Sequence, residues 1–300
     1  MTRHKHHKAS SPASVWLPVP TGDMNEDWAY LLGFLKSAFQ NVFVTRYDRY
    51  ADTLRPPDFH FDLLVQLLAI RNLDLVTCME KIAIEQNAAM TNPASATRCS
   101  ADKRNLPVLF PECVPETRIV RDIDTIESCF HDWGKDIVIK PAFFGKGEYV
   151  TRVNSYEALD IVPELLKHSP TSDLVVQPFC EGFSRGDQRI LLTRNGAGES
   201  IILGNFGRIP KPGEWITNIS QGGSFNFRRL EKDEQLLALD VFDRSGLDFA
   251  GLDIGRHDGR VLLIEINPTA GGLIDCDMNT QSNSQALLFD LLQSRLGSLQ

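Results

Sequence analysis

Three oxygen-bearing side chains interrupt two neighbouring apolar segments near the C-terminal end of the chain. Asp253 lies in the first segment, whereas Glu265 and Asn267 lie two residues apart at the end of the second. The Asp258-Gly259 turn between the segments is typical of a β-hairpin, and alternation along a strand puts Glu265 and Asn267 on one face. Hard oxygen ligands of this kind suit Mg²⁺, which also takes phosphate oxygens from a substrate. The same spacing fits an edge hairpin whose polar face is only solvated.

A second group of residues is suited to phosphate. The β-branched segment 136–140 ends in Lys140, and a glycine loop at 143–147 separates it from another strand at 149–153. Glycines allow backbone N–H groups to approach phosphate oxygens closely, although the loop lacks the spacing of a Walker A motif. The pattern predicts a strand–loop–strand flap over a nucleotide with Lys140 as its charged anchor, and it fits an ordinary glycine hairpin equally well.

Two arginines are predicted to meet on neighbouring strands. Arg189 begins the strand 188–194, and Arg208 ends the partner strand 201–209. Two guanidinium groups brought together by strand pairing repel each other unless anions lie between them. The pair therefore indicates an anion site, with two ordinary surface arginines as the alternative. Lys103 likewise fits either a phosphate contact or an exposed surface lysine.

Hydrophobic periodicity predicts the elements that position these groups. Near the N-terminus a strand, an amphipathic helix and a second strand form a β-α-β unit, and the next two apolar segments fit either strand or helix. Farther along, a capping signal opens one helix and Gly246 ends another as a C-cap. The predicted elements are strands at 15–20, 42–47 and 174–179, helices at 26–39, 154–168, 231–245 and 282–296, and ambiguous segments at 61–70 and 73–89.

Composition and charge narrow the class of protein. The 300 residues are 42% hydrophobic and 23% charged, which is typical of a globular chain with two or three packed units. A net charge of -8 argues against general nucleic-acid binding, and no apolar run approaches the roughly 20 residues of a membrane helix. Residues 1–14, which are basic and rich in histidine, are interpreted as a disordered tail. The six cysteines are scattered without a CxxC pair, which indicates free thiols in a reducing compartment and predicts a cytoplasmic protein.

Several short motifs follow one another in an order that points to a family. They are Lys103, Ile139-Lys140-Pro141, Val176-Gln177-Pro178-Phe179, Gly186-Asp187-Gln188-Arg189, Arg208-Ile209-Pro210, Asn218–Gly223, Gly251-Leu252-Asp253 and Glu265-Ile266-Asn267-Pro268. Together they resemble the ATP-grasp ligases, and within them bacterial glutathione synthetase and the related ribosomal-protein glutamate ligases. The resemblance covers about residues 91–275.

This resemblance implies an α/β (α+β) architecture, the ATP-grasp fold with an N-terminal Rossmann-like pre-ATP-grasp domain. The expected organisation is a disordered tail at 1–14, a pre-ATP-grasp α/β domain at 15–105, an ATP-grasp flap subdomain at 106–175 and an ATP-grasp C-terminal subdomain at 176–300.

The resemblance also implies a role for each candidate residue. Arg189 and Arg208 would bind the transferred phosphoryl group or the acyl phosphate, and Asn218 would lie beside the metal and phosphates. The backbone at 177–179 would hold adenine, and Asp187 would meet the ribose. The implied cofactors are ATP and Mg²⁺, with one or two ions and Mn²⁺ as an alternative. The implied metal ligands are Asp253, Glu265 and Asn267, and the implied nucleotide-binding residues are Lys103, Lys140, Gly145, Gly147, Gln177, Pro178, Phe179 and Asp187.

The implied function is an ATP-dependent carboxylate–amine ligase. It would activate a small amino-acid or peptide carboxylate as an acyl phosphate and join it to an amine, releasing ADP and phosphate. A small-molecule kinase on the same fold and a glutathione synthetase proper are the alternatives. The implied partners are small-molecule carboxylate and amine substrates, without nucleic acid or membrane, and a homo-oligomer is compatible with the pattern. The N-terminal third departs from the pattern of glutathione synthetase, and Trp215 and residues 225–229 surround the acceptor-side loop with bulky and cationic groups.

Overall fold

Among the residues that the structure describes, three β-sheets organise three successive units. The computed structural model describes residues 11–22, 26–48, 51, 53–67, 73–143, 147–169, 171, 173–280 and 284–298. The first sheet is parallel, whereas the second and third are antiparallel. Among the helices of these residues, none combines the length and hydrophobicity that crossing a membrane requires.

The N-terminal unit is a four-stranded sheet with helices packed against it. Its elements are β1 (Ser11–Pro20), α1 (Glu26–Ala38), β2 (Phe39–Tyr47), β3 (Leu63–Leu64), α2 (Asp74–Glu85) and β4 (Ala89–Met90). The strand order is β2-β1-β3-β4. The structure confirms the predicted β-α-β unit, because α1 connects two adjacent parallel strands. The ambiguous segment 73–89 contains both α2 and the start of β4.

The first strand begins earlier than the sequence predicted. Residues 11–14 were assigned to the disordered tail, but they form the start of β1 and pair with β2. The backbone N–H of Ser14 also donates to Asp62 Oδ2 at 2.7 Å. Pairing with a sheet satisfies backbone polar groups that would otherwise need water. The predicted tail boundary at residue 14 is therefore wrong, and residues 1–10 lie outside the described residues.

The second unit is an antiparallel sheet with its own hydrophobic core. Two helices, α3 (Ala94–Ala101) and α4 (Leu106–Leu109), lead into it from the first unit. Its elements are β5 (Arg118–Val120), α5 (Ile123–Asp132), β6 (Ile137–Pro141), β7 (Thr151–Val153), a 3₁₀ helix (Glu157–Ile161), α6 (Val162–His168) and β8 (Leu174–Pro178). The helix predicted at 154–168 is thus divided. Pro163 lies in the first turn of α6, where a missing N–H is tolerated and helix initiation is favoured.

The boundaries of this flap subdomain differ from the prediction of 106–175. The predicted end at residue 175 falls inside β8, which pairs with both β5 and β6. At the other end, Leu106, Phe110 and Val114 pack in the core of the third unit. The flap sheet therefore spans 118–178. Periodicity identifies an apolar segment, but it does not indicate which of two sheets the segment joins.

The third unit is a five-stranded sheet covered by helices. Its elements are a 3₁₀ helix (Glu181–Arg185), β9 (Asp187–Arg194), β10 (Ser200–Ile209), a 3₁₀ helix (Ile219–Gln221), β11 (Ser224–Asn226), α7 (Lys232–Ser245), β12 (Phe249–His257), β13 (Arg260–Asn267), α8 (Leu273–Thr280) and α9 (Ser284–Gly297). The strand order is β11-β10-β9-β12-β13. The predicted hairpin is confirmed as β12 and β13. Its two turn residues, Asp258 and Gly259, have φ of 48° and 76°, as a two-residue hairpin turn requires.

A buried asparagine joins the first unit to the third. Asn92, which follows β4, donates its side-chain N–H groups to the carbonyls of Phe249 and Pro268. Its side-chain oxygen accepts the backbone N–H groups of Asp248 and Phe249, both at 2.9 Å. Pro268 directly follows the metal candidate Asn267. The end of the hairpin is therefore held against the N-terminal unit by hydrogen bonds that water does not reach.

Candidate active site

One face of the five-stranded sheet collects the predicted catalytic residues. Arg189 on β9 is the Cα partner of Asp253 on β12, which is itself the partner of Glu265 on β13. Arg208 on β10 is the partner of Asp187 on β9. Directly paired residues share a face of an antiparallel sheet, and positions two apart return to that face. The register therefore brings both arginines and the acidic residues onto one surface, which we call the catalytic face.

Two arginines and two aspartates form a buried ion-pair quartet on the catalytic face. Arg208 donates from Nε and Nη2 to Asp187 at 2.8 and 2.7 Å, and its Nη2 also lies 3.0 Å from Asp253 Oδ2. Arg189 donates from Nε and Nη2 to Asp253. Burial by itself would raise the pKa of Asp253, but the two guanidinium groups outweigh burial and hold this pKa at about 2. Mutual neutralisation is what allows these charges to remain away from water.

The two arginines keep hydrogen-bonding capacity beyond the quartet. A guanidinium carries five N–H donors. Arg189 uses Nη1 to donate to the Gly271 carbonyl at 3.2 Å. Among the described residues, Arg208 Nη1 takes part in none of the hydrogen bonds of the quartet. Both side chains can therefore meet an additional oxyanion.

Asp187 is already bound in this arrangement. Besides Arg208, the hydroxyl of Thr217 donates to its Oδ2 at 2.6 Å. Asp187 also lines the cleft described below. Its expected contact with the ribose stays a prediction. Thr217 is not among the predicted site residues, although it directly precedes the motif Asn218–Gly223.

Glu265 and Asn267 occupy the outer edge of the catalytic face. Glu265 Oε2 lies 3.3 Å from Lys103 Nζ. The buried Nδ2 of Asn267 has no hydrogen-bond partner among the described residues. The two ends of an amide are nearly indistinguishable by shape, so the carbonyl oxygen of Asn267 fits the same position as a cation ligand. Within the described ranges, His, Cys, Asp and Glu do not form a metal-binding group of three or more. The predicted set of Asp253, Glu265 and an amide fits Mg²⁺, which completes its shell with water and phosphate oxygens.

A cleft of about 890 Å³, including its open mouth, lies between the flap sheet and the catalytic face. Lys140 projects into it and donates from Nζ to Gln177 Oε1 at 2.7 Å. Burial, reinforced by the charge of Lys103, lowers the pKa of Lys140 to about 8. Burial thus disfavours the ammonium form of Lys140, which an anionic phosphate would stabilise. Lys103, Lys140 and Gln177 are brought together, as predicted for a nucleotide site.

Aromatic side chains form one wall of the cleft, and an arginine outside the lining packs on one of them. Phe179, which directly follows β8, meets Trp215 edge to face with ring centroids 5.7 Å apart. The guanidinium of Arg152 lies 3.5 Å from the Phe179 ring centroid and is held by Asp136. Pro178 also lines this wall. Flat rings of this kind suit a purine base. The sequence analysis expects Trp215 beside the acceptor-side loop. In the structure, Trp215 lines the cleft.

The flap contacts the loop that carries Asn218. Gly147 has φ of +70°, and a Cβ at this position would lie 2.6 Å from Gln221 Nε2 and 2.9 Å from Asn218 Oδ1. Only a glycine combines this left-handed backbone with so close an approach. Gly147 and Asn218 both line the cleft. The other predicted flap glycine, Gly145, lies outside the described residues.

Residues 105–280 match the family model described as prokaryotic glutathione synthetase, ATP-grasp domain. The match covers more than half of the chain. The chain belongs to the ATP-grasp family of prokaryotic glutathione synthetases. Glutathione synthetase of Shewanella oneidensis is 30% identical over 226 residues, which are 74% of this chain and 69% of that protein. Glutathione synthetase of Pseudomonas syringae is 29% identical over 213 residues, or 69% and 63% of the two chains. This family member therefore spans about two thirds of the length of these curated relatives.

Solved structures resemble this family member over nearly its whole length. D-alanyl-alanine synthetase A from Vibrio cholerae has a TM-score of 0.73 at 13% identity, with 96% of this chain and 100% of that chain covered. ATP-grasp ligase PsnB, complexed with a phosphomimetic variant of its minimal precursor, Mg and ADP, has a TM-score of 0.65 at 12% identity, with 95% and 99% covered. These likenesses confirm the predicted ATP-grasp fold. They cover the N-terminal unit as well as the two units that follow it.

Proposed function

We propose that this ATP-grasp ligase activates a small carboxylate as an acyl phosphate and joins it to an amine, with release of ADP and phosphate. One observation carries the proposal above the others. The quartet puts Arg208, whose Nη1 lies outside the hydrogen bonds of the quartet, in the lining of a cleft that also contains Lys103 and Lys140, and Asp253 joins Arg189 to it. A cluster of fixed cations beside a cleft suits phosphoryl transfer, in which the protein mainly positions and neutralises charge.

The chemistry follows from charge placement. A carboxylate oxygen of the donor forms a bond to the γ-phosphorus of ATP while the bond to the β,γ-bridging oxygen breaks and ADP leaves. An amine then adds to the acyl carbon, loses a proton and expels phosphate. Negative charge grows on the phosphoryl oxygens in the first step and on the carbonyl oxygen in the second. Arg189 and Arg208 face these oxygens with donors that are held in place by Asp253 and Asp187 before substrate arrives, so little reorganisation is needed.

The remaining residues of the site bind and orient the nucleotide. Lys103 and Lys140 neutralise its phosphates, and Phe179 with the backbone at Gln177 and Pro178 holds the base. Gly147 and Asn218 close the flap against the phosphates and keep water from the acyl phosphate. Mg²⁺, held by Glu265, Asn267 and Asp253, would supply charge neutralisation at the phosphates. Mn²⁺ and the number of ions belong to this proposal.

Cysteine usage and net charge bear on the cellular setting of the enzyme. The six cysteines all lie among the described residues, where none of them forms a disulfide and four are buried, which is in keeping with a reducing compartment. We infer a cytoplasmic enzyme with small-molecule carboxylate and amine substrates. The absence of a basic excess supports the view that nucleic acid is not a partner.

Release of ADP in the presence of paired carboxylates and amines tests the proposal, with the Arg189→Ala variant as the probe of the site. The charge that Arg189 meets grows during phosphoryl transfer, so kcat should fall at least ~100-fold while the Kd for Mg-ATP changes by less than about threefold. Arg260→Ala is the matched control, because its guanidinium binds the Glu112 carbonyl at the far end of β13, and its kcat should stay unchanged. Equal losses of kcat and ATP affinity in Arg189→Ala would overturn the assigned role.

A further inference from the structure

Two exposed aromatic rings project from the edge of the catalytic face. Phe225 and Phe227 lie on or just after β11, the outermost strand of the sheet, and are 38% and 50% exposed. Their rings stack with centroids 5.5 Å apart and an interplanar angle of 14°. Two large apolar rings kept beside each other in water, next to a charged site, are unusual on a soluble surface unless something covers them.

Strand register puts these rings next to the phosphoryl-binding arginines. Phe225 is the Cα partner of Arg208, so the two side chains leave the same face of the sheet. Phe227 lies just beyond the end of β11, and its stacking on Phe225 puts it on the same side. Asn226 between them points to the opposite face. The rings therefore extend the catalytic face by one strand, on the side away from Glu265 and Asn267.

A chain of contacts connects the rings to the turn that holds Arg189. Phe225 meets Phe206 with ring centroids 5.4 Å apart. The Phe206 ring in turn packs against Gly272, where an added Cβ would lie 2.6 Å from it. The preceding residue, Gly271, accepts the hydrogen bond from Arg189. The apolar wall is therefore continuous with the cationic centre and separate from the cleft that would hold the nucleotide.

Distances along the sheet indicate which part of a substrate reaches the wall. Adjacent strands lie about 4.8 Å apart. The Arg208 guanidinium reaches away from β11 to Asp187 on β9 and Asp253 on β12, so about two strand spacings, roughly 10 Å, separate it from Phe225. The edge residue Glu265 on β13 lies three strands from Arg208 on the other side, roughly 14 Å away. A carboxylate held at Arg208 for attack on the γ-phosphate would thus carry its own side chain to the rings, because the carboxylate-to-ring length of an aromatic amino acid plus one ring-to-ring contact spans a similar distance.

We propose that Phe225 and Phe227, backed by Phe206, form a subsite for an aromatic side chain on the carboxylate substrate. The inference rests on the proposed ligase function and assigns its donor class. The nearest charge after the rings supports it, since Arg228 turns to the other face and is held by both carboxylate oxygens of Glu234 at 2.8 and 2.6 Å. A second carboxylate, as in a glutamyl donor, would meet two rings and lose its water without gaining Arg228 as a partner.

A donor panel with edge-strand variants tests the subsite. ADP release would be measured with phenylalanine, tryptophan, alanine, glutamate and γ-glutamylcysteine as donors, at saturating Mg-ATP and with a mixed pool of amines. The aromatic donors should have kcat/KM at least ~10-fold above alanine and glutamate. Phe225→Ala and Phe227→Ala should each lower kcat/KM for the aromatic donors at least ~10-fold, because stacked-ring contacts are lost. They should leave the value for alanine within about twofold.

Two controls separate the subsite from a change in folding. Asn226→Ala alters the same strand on the opposite face and should leave every donor unchanged. Phe225→Trp retains a flat ring and should keep at least a third of the aromatic kcat/KM, which loss of β11 pairing alone would not allow. A preference for glutamate or γ-glutamylcysteine, or unaltered aromatic kinetics in both alanine variants, overturns the subsite but leaves the ligase standing. Failure of every donor to release ADP, with Mg-ATP still bound, overturns the ligase function itself.

Discussion

Replacing Lys140 by methionine should stabilise the unliganded protein while it removes most of the affinity for ATP. The pKa of Lys140 is lowered from the ordinary 10.5 to about 8, first by burial and then by the charge of Lys103. One pKa unit corresponds to about 1.4 kcal/mol, so keeping this ammonium charged at pH 7 costs up to about 3 kcal/mol. Methionine removes that cost but leaves Gln177 Oε1 without its donor, which offsets about 1–2 kcal/mol. The variant should gain about 1–2 kcal/mol in free energy of unfolding.

The pH dependence gives this prediction a sign that can be checked. Between the folded pKa of about 8 and the ordinary value of 10.5, the unfolded chain holds the Lys140 proton more tightly than the folded protein does. The native protein therefore gains stability as pH rises through this window. The gain in free energy of unfolding from Lys140→Met should have its full value below pH 8. It should shrink by about 2 kcal/mol between pH 7 and pH 9.5.

Urea unfolding at a series of pH values measures the stability term, and calorimetry with Mg-ATP measures the binding term. The lost contact between a charged donor and phosphate is worth about 2 kcal/mol, so Kd for Mg-ATP should rise roughly 30-fold. Lys167→Met, at an exposed position in the last turn of α6, should change neither quantity. A Lys140→Met protein that is less stable than the parent at pH 7, or a stability difference that does not change with pH, would contradict a destabilising buried charge at Lys140.

Two further substitutions probe the flap and the junction between units. Gly147→Ala should lower kcat/KM for ATP at least ~10-fold because the added methyl would meet Gln221. Gly134 has a similar φ of +73° but open space around it, so Gly134→Ala should leave activity unchanged. Equal effects of the two substitutions would contradict a role of Gly147 in flap closure. Asn92→Gly should reduce the free energy of unfolding by about 2–4 kcal/mol through lost buried hydrogen bonds, and Asn92→Ala by about 1 kcal/mol more because φ at this position is 58°. Urea unfolding checks both variants, and losses below about 1 kcal/mol would mean that water replaces these bonds.

Local patterns in the sequence were sufficient for the hairpin and for much of the fold. The Asp258-Gly259 turn and the alternation around it predict β12 and β13, and the observed register pairs Asp253 with Glu265. The N-terminal β-α-β unit follows from periodicity in the same way. These features depend on residues that are close in the chain, where turn chemistry and side-chain alternation determine the geometry.

The ion-pair quartet depended on information that local patterns do not contain. Asp187 and Asp253 are far apart in the chain, and they share Arg208 only because β12, besides its hairpin partner β13, pairs with the distant strand β9. The sequence therefore indicated an anion between Arg189 and Arg208 without identifying the protein's own carboxylates as that anion. The flap boundary failed for the same reason, since β8 joins a sheet whose other strands come earlier in the chain.

Trapping with hydroxylamine tests the central claim that a carboxylate is activated on the catalytic face. Hydroxylamine replaces the amine, attacks an acyl phosphate and leaves a hydroxamate that is measured by its coloured iron complex. With Mg-ATP and a turnover-competent donor, hydroxamate and ADP should form in equal amounts, and Arg189→Ala should reduce both together. Formation of ADP with a stable phosphate ester and no hydroxamate would identify a kinase and contradict the proposed ligase.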